Sequence, residues 1–278
     1  MAEARRWRPT PLVTTSAALH ALAAAALVAA PSRWPWALGL VACDHVALTV
    51  AGLLPRLALL GPNLLKLAPS PEPRLALTFD DGPDPAVTPQ VLDLLDRHRA
   101  RASFFCIGEL VRRHPALARE IVARGHRIEN HSYHHSKAFS LYGPGRQRSE
   151  IERAQATIAE VVGRPPVLFR APAGLHNVFL EPILAGTGLH LVTWTRRGFD
   201  TVARDSRRVA AKLIFGLAAG DILLLHDGAP ARDANGQPVA LQALEMLLGE
   251  MDRLGLFSVP VDEGLPARET LSACPGTR

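Results

Sequence analysis

The sequence predicts an α/β domain, a distorted (β/α)7 barrel, preceded by two transmembrane helices. Three observations predict it. Two long stretches near the amino terminus are almost free of charge. Beyond residue 73, short apolar runs rich in β-formers alternate with helix-like stretches. Polar, titratable residues gather just after the ends of those runs.

The charge-free stretches come first. No charged residue occurs between Arg8 and Arg33, and between Arg33 and Arg56 the only formal charge is Asp44. Each stretch exceeds the roughly 20 residues that cross about 30 Å of hydrocarbon. Trp7 precedes the first, and Trp34 and Trp36 lie between the two, at the headgroup depth tryptophan favours. Spans are predicted at about 10–31 and 35–55. The competing reading is a signal peptide followed by a buried helix. Its best cleavage site, Val28-Ala29-Ala30, is followed by Pro31, which is poor for processing. Arg5, Arg6 and Arg8 precede the first span, Arg33 alone lies between, and Arg56 and Lys66 follow the second. The positive-inside rule then places both ends, and the remaining domain, on the cytoplasmic side of a bacterial inner membrane. Asp44 and His45 at membrane depth are expected to pair with each other or with His20, holding the two helices together.

The chain divides into a membrane segment with its linker (1–67), an α/β domain (68–262) and a tail (263–278). Pro62, Pro69, Pro71 and Pro73 break any long helix in Leu57–Pro73, which reads as linker. Strands are predicted at Leu75–Phe79, Ala102–Cys106, His126–Glu129, Val167–Arg170, His190–Trp194, Asp221–His226 and Phe257–Val261. Helices are predicted at Thr88–His98, Pro115–Arg124, Ser149–Val162, Phe179–Ala185, Ser206–Ala218 and Val239–Leu254. Thr88 before Pro89 reads as an N-cap, and Ser149 and Asp205 as helix starts. Gly264–Arg278 reads as a frayed tail.

Composition removes several classes. With 48% hydrophobic residues in 278, the chain is no disordered segment, and three cysteines are too few for a disulfide scaffold. Cys43, Cys106 and Cys274 have no metal spacing and fit a reducing compartment. The net charge of +5 is mild, and no basic run is interleaved with aromatics, so nucleic acid is not an expected partner. The charge suits an anionic lipid surface.

In a barrel the chemistry sits at the carboxyl ends of the strands. There the sequence places Asp80-Asp81-Gly82-Pro83, Asn130-His131-Ser132-Tyr133-His134-His135, Arg170-Ala171-Pro172-Ala173-Gly174, Thr195 to Asp200, and His226-Asp227. His131 and His135 are four apart, so in a helical turn both imidazoles share one face. An aspartate with two histidines is a common three-ligand metal set with an open position. A divalent ion there lowers the pKa of a water and polarises a carbonyl. A nearby carboxylate can take the proton from that water, and an opposing histidine can protonate the leaving nitrogen. Each piece alone has a plainer reading: a turn, a cap, a half-buried histidine, a salt bridge.

Together, over about residues 72–262, the motifs resemble the polysaccharide deacetylase family, the NodB-homology carbohydrate esterases of family 4. Thr78-Phe79-Asp80-Asp81-Gly82-Pro83 matches the first family motif and His131-Ser132-Tyr133-His134-His135 the second. Arg170-Ala171-Pro172-Ala173-Gly174 matches the third in part, and Leu223-Leu224-Leu225-His226 matches the fifth. The resemblance implies Asp80 as general base, and Asp81, His131 and His135 as ligands of a divalent metal. That metal is Zn²⁺ first, with Co²⁺, Ni²⁺ or Mn²⁺ as other candidates. It further implies His226 as general acid, Arg170 orienting the base, and the backbone N–H of Ala173 holding an oxyanion. His134 is a bystander.

Two departures stand out. The third motif usually has an aromatic where Ala173 stands. The fourth usually carries acidic residues, and here offers only Asp200, to pair with Arg170 or to tune His226. Arg196 and Arg197 are expected to add positive charge at the pocket mouth and to suit an anionic substrate such as a lipid-linked phosphosugar, unless they are solvated or paired with acids such as Glu129.

The implied activity is metal-dependent removal of an N-acyl group, first of all acetyl, from an amino sugar of a polysaccharide or lipid-linked saccharide. A carbohydrate O-deacetylase is the alternative, because the same water attacks an ester. A non-catalytic membrane-bound glycan-binding module is the other.

Overall fold

The computed structural model describes residues 4–265. Cys274 and most of the expected tail lie outside them. Helix α1 (Pro11–Ala29) opens on Thr10, whose hydroxyl accepts from the Val13 N–H, with Pro11 at the first helical position. A 3-10 turn at Pro31–Arg33 leads into α2 (Trp34–Leu53). Both helices are long and apolar enough to cross a membrane. Leu22, Val28, Trp36, Leu38 and Val46 are exposed along them. The two helices join through polar groups. The Ser16 hydroxyl donates to Asp44 Oδ2 at 2.6 Å, and His20 Nε2 meets His45 Nε2 at 3.3 Å. Asp44 therefore works across the pair rather than with its neighbour His45.

The sheet follows. Its strands are β1 (Arg74–Asp80), β2 (Ala102–Cys106), β3 (Arg127–Asn130), β4 (Leu168–Phe169), β5 (His190–Leu191), β6 (Arg196–Arg197), β7 (Ile222–His226) and β8 (Phe257–Ser258). They run parallel in the order β5-β4-β3-β2-β1-β7-β6, with β8 on the lower end of β1. The connecting helices are α3 (Thr88–Arg97), α4 (Gly108–Arg113), α5 (Pro115–Ala123), α6 (Pro144–Val162), α7 (Leu180–Thr187), α8 (Ser206–Ile214) and α9 (Val239–Leu254).

β5 and β6 do not pair, so the strands alone leave the curl open. The expected linker fills the gap. Leu64 bridges to Val192 beyond β5, and Lys66 bridges to Asp221 before β7. The bonds are Leu64 N–H to Leu191 carbonyl and Thr193 N–H to Leu64 carbonyl on one side, and Leu67 N–H to Gly220 carbonyl on the other. Residues 63–67 thus belong to the folded domain, which starts earlier than the expected boundary at 68. It also ends later. Arg101 forks onto Glu263 at 2.7 and 2.8 Å, and the Ala68 N–H donates to the Gly264 carbonyl.

The core lies between the sheet and its helices. Leu77, Phe79, Phe104, Leu223 and Leu225 pack against Leu92 and Leu95 of α3, Val209 and Leu213 of α8, and Leu244 and Leu247 of α9. Each fully buried side chain of this size contributes about 1.5–3 kcal/mol. Their solvent-free packing fixes the strand ends that carry the polar groups.

Candidate active site

The strand register brings the polar groups to one rim. Asp80 at the end of β1 is level with His226 at the end of β7, Cys106 is level with Asn130, and Asn130 with Phe169. Among the described residues, every non-glycine residue with positive φ except Arg99 lies in a loop beyond a strand's carboxyl end: Asp81, Ser132, His135, Ala173, Phe199 and Ala229. Such conformations cost of order 1–3 kcal/mol each and persist where the surroundings hold them.

Asp81, His131 and His135 converge at this rim. Asp81 Oδ1 lies 3.3 Å from His131 Nε2 and 3.1 Å from His135 Nε2. The same oxygen is buried and accepts no hydrogen bond among the described residues. His131 Nδ1 faces the Arg170 carbonyl at 2.7 Å. A carbonyl can only accept, so Nδ1 carries a proton, and Nε2 is the ring nitrogen directed at Asp81 and available to a metal. An unpaired carboxylate oxygen and imidazole nitrogens converging on one point fit a divalent ion. Burial pulls the His135 imidazole down to about 4, aided by His131, so it stays neutral as ligation requires. Burial pushes Asp81 up, yet its contact with His131 and the nearby imidazoles of His131, His135 and His226 hold it well below the usual carboxylate range.

The two histidines do not meet through a helical turn. The segment is a loop, with Ser132 and His135 both left-handed. Asn130 Oδ1 accepts from the Ser132 N–H at 2.9 Å, and the Ser132 hydroxyl accepts from the His135 N–H at 3.1 Å. Glu150 of α6 accepts from the Tyr133 and His134 N–H groups and holds the His134 ring at 2.7 Å. This is why His134 points away from Asp81. Helix α6, which carries Glu150, starts at Pro144, five residues before the expected Ser149.

Asp80 takes a different direction from Asp81. Arg170 Nη1 donates to Asp80 Oδ1 at 2.6 Å and to the Thr78 hydroxyl at 2.8 Å. Its other nitrogens donate to the Val192 and Thr193 carbonyls. The guanidinium is wholly buried and lies 4.0 Å from the Phe105 ring centre. Asp80 Oδ2 is left facing His131 Nε2 at 3.8 Å.

On the other side, Asp200 grips His226 twice. His226 Nδ1 lies 2.8 Å from Asp200 Oδ1, and its backbone N–H donates to Asp200 Oδ2 at 2.7 Å. Of its two expected partners, Asp200 therefore takes His226 and not Arg170. Burial pulls the His226 imidazole down, but the Asp200 hydrogen bond and charge, with Asp80 and Asp81, outweigh it and raise the ring above its ordinary value.

A family model described as polysaccharide deacetylase matches residues 68–192. A peptidoglycan-N-acetylglucosamine deacetylase of Bacillus cereus is 35% identical over 200 residues, covering 70% of this chain and 89% of the relative. The chain belongs to the polysaccharide deacetylase family. A chitooligosaccharide deacetylase of a Bradyrhizobium species is 34% identical over 194 residues, covering 67% of this chain and 88% of the relative. Among solved structures, a family 4 carbohydrate esterase from Streptomyces lividans, in complex with acetate, has a TM-score of 0.61 and 30% identity. It covers 70% of this chain and 98% of that one. The parallel, curled sheet described above is the fold of this deacetylase family.

Within this deacetylase the two arginines separate. Adjacent strand residues point to opposite faces. Arg196 turns to the amino end of β7, where it binds Asp221 at 2.5 Å and the Phe215 and Gly216 carbonyls. It is remote from the rim and does not add charge at a pocket mouth. Its partner is not Glu129 either, since Glu129 accepts from the Val167 and Leu168 N–H groups. Arg197 lies between the Trp194 and Phe199 rings, with its guanidinium 5.3 and 5.0 Å from their centres. Ala173 is exposed and left-handed in the 3-10 turn Pro172–Gly174.

Sequence reasoning missed the supporting shell. Thr78, Asn130 and Glu150 hold motif residues in place, and Asp227 lies buried beside them. Asp227 is buried against Thr88, whose hydroxyl donates to it at 2.6 Å instead of capping α3. Burial pushes Asp227 up to about 7. Thr78, Asn130 and Asp227 each sit beside or within a motif, and that adjacency was the available signal. Glu150 lies on a surface helix and gave none.

Proposed function

We propose that this deacetylase removes the N-acetyl group from an amino sugar in a polysaccharide or lipid-linked saccharide, using a divalent metal, Zn²⁺ first, held by Asp81, His131 and His135. The observation that supports it most is the joint placement at one rim of a carboxylate held by a buried arginine, a three-ligand cluster and a histidine held by a buried carboxylate.

When bound, the ion supplies a water of lowered pKa and polarises the amide carbonyl. Asp80 accepts the water's proton on Oδ2, because Arg170 occupies Oδ1 and keeps the carboxylate oriented. The backbone N–H of Ala173 would serve the oxygen on which negative charge grows; one such donor is worth about 2.7–4 kcal/mol. His226, protonated on Nδ1 by its bond to Asp200, gives a proton from Nε2 to the departing amine nitrogen. Asp200 keeps the ring in place and favours its charged form.

We further propose that α1 and α2 cross a membrane as a hairpin. Their apolar side chains are largely uncovered by the rest of the chain, so lipid is the medium that would cover them. Arg5, Arg6, Arg8, Arg56 and Lys66 on the domain side, against Arg33 alone at the far turn, favour a cytoplasmic domain.

The test is acetate release by the purified full chain, loaded with Zn²⁺ or Co²⁺, from N-acetylglucosamine oligomers. Product mass separates a free amine from a free hydroxyl. A hydroxyl alone would make the enzyme an O-deacetylase, and no release from any acylated glycan would overturn the reading.

A further inference from the structure

The hairpin is fastened to the catalytic domain at both of its ends. Before α1, the Arg5 backbone N–H donates to the Ala185 carbonyl at 2.7 Å. Its side chain donates to the Leu189 carbonyl at 2.7 Å and to Glu181 at 3.2 Å. The Thr10 hydroxyl donates to the Leu59 carbonyl at 2.6 Å. At the end of α2, the Gly52 carbonyl accepts from the His176 N–H at 3.2 Å, and a Cβ at Gly52 would run into the His176 carbonyl.

The same contact reaches the active-site rim. Gly174 is wedged between Trp194 and Pro55, and a Cβ there would stand 2.6 Å from the Trp194 ring and 2.9 Å from the proline. Gly174 is next to Ala173, on the loop whose first residue, Arg170, orients Asp80. Asn63 ties in the rest of the segment. Its amide donates to the Pro55 carbonyl at 2.8 Å and its oxygen accepts from the Thr193 hydroxyl at 3.0 Å. The Thr193 carbonyl in turn receives Arg170. Pro55 follows Leu53 by two residues, so it lies no more than about 7 Å beyond the end of α2. A spanning helix ends at headgroup depth. The third-motif loop is therefore held against the headgroup layer.

The residues at that level suit the layer. Trp7, Leu54, Leu57 and Leu59 are exposed, and Arg6, Arg8 and Arg56 stand exposed among them. Aromatic and apolar side chains mixed with arginine match an interface of acyl chains and anionic headgroups.

We infer that the substrate is an N-acylated amino sugar joined to a membrane lipid, presented from the bilayer surface to a site clamped beside it. This rests on the deacetylase reading above and narrows its substrate. Confinement to one surface raises the effective concentration of such a substrate.

The test uses the full chain with Zn²⁺ in nanodiscs of phosphatidylethanolamine and phosphatidylglycerol. One probe is a synthetic lipid phosphate bearing N-acetylglucosamine in the same disc, and the other is soluble N-acetylchitotetraose. Acetate release at equal bulk concentration is expected to be at least about tenfold faster from the lipid-borne sugar. Arg5→Ala is expected to lower the lipid-borne rate and leave the soluble rate unchanged. Equal rates, faster soluble turnover, or an Arg5→Ala variant with an unaltered ratio would overturn the inference and leave the deacetylase reading standing. Turnover of neither probe would overturn both.

Discussion

Arg170 Nη1 lies 2.6 Å from Asp80 Oδ1, and both groups are almost wholly shielded from solvent. A buried ion pair is costly to break, because the survivor is left charged and unpaired. Here the guanidinium also binds Thr78 and the Val192 and Thr193 carbonyls, so it works as a fork with four attachments. Lysine cannot reproduce that fork. Arg170→Lys is expected to lower kcat about 10²-fold with metal content unchanged, because the base loses its orientation. Arg170→Met is expected to cost about 3–5 kcal/mol in urea unfolding as well.

The metal cluster makes a separable prediction. Dialysis against a chelator is expected to abolish activity, and Zn²⁺ to restore it. Asp81→Ala and His135→Ala are expected to lose bound metal by elemental analysis, each removing one of the three proposed ligands. His134→Ala is the control. Its ring binds Glu150 at 2.7 Å and faces away, so metal content is expected to stay at the wild-type level.

The Asp200–His226 pair sets a pH dependence. The folded imidazole is raised above its ordinary value, so the acid form persists above pH of about 6.5. Activity that needs this proton is expected to fall as pH rises through the raised value. In Asp200→Asn the alkaline limb of the kcat/KM profile is expected to move to lower pH, and kcat to fall by about 10–100-fold. The linkage to stability has the same sign. The pair stabilises the fold fully below the unfolded histidine value, and the contribution is lost as pH rises through the folded one.

The bridging segment can be tested by truncation. Residues 61–278 retain Asn63, Leu64 and Leu67, while residues 68–278 lose their bonds to Leu191, Thr193 and Gly220. At a net value of about 1 kcal/mol per bond, the shorter chain is expected to melt roughly 10 °C lower in a scanning experiment.

Topology is tested by fusing reporters after Arg278. A cytoplasmic domain predicts a fluorescent protein that matures and an alkaline phosphatase that stays inactive. Active phosphatase would place the domain outside.

Much of this architecture was legible in the residues. The β1, β2 and β7 runs are continuous and apolar, and the two long apolar helices announce themselves by length. The short strands were harder. β6 is two arginines, with no hydrophobic pattern to read, and it exists because Leu223 and Leu224 offer a free edge. Helix α4 was hidden by its six-residue length and opening glycine. At the site, the reacting residues were visible because they cluster at strand ends. Their supports were not, since a hydrogen bond that Glu150 accepts from the His134 N–H, 16 residues away, leaves no local trace. The arginine pair misled for the opposite reason: adjacency in sequence reads as a cluster, while the pleat sends the two side chains apart.

β1 sits at the middle of the sheet, yet two of its three partners come late. Ala76 pairs with Ile222 and Arg74 with Phe257. During synthesis at about 5–20 residues per second, β1 waits roughly 10–30 s after leaving the ribosome before β7 emerges. By then the apolar hairpin ahead of it has been made and can enter the bilayer. With the hairpin inserted as proposed, a nascent strand of seven residues, buried on completion but bare on one edge until then, would spend its vulnerable interval tethered to a surface instead of diffusing among other unfinished chains. Anchoring would protect the sheet from pairing with the wrong edge before it ever helps the finished enzyme meet its substrate.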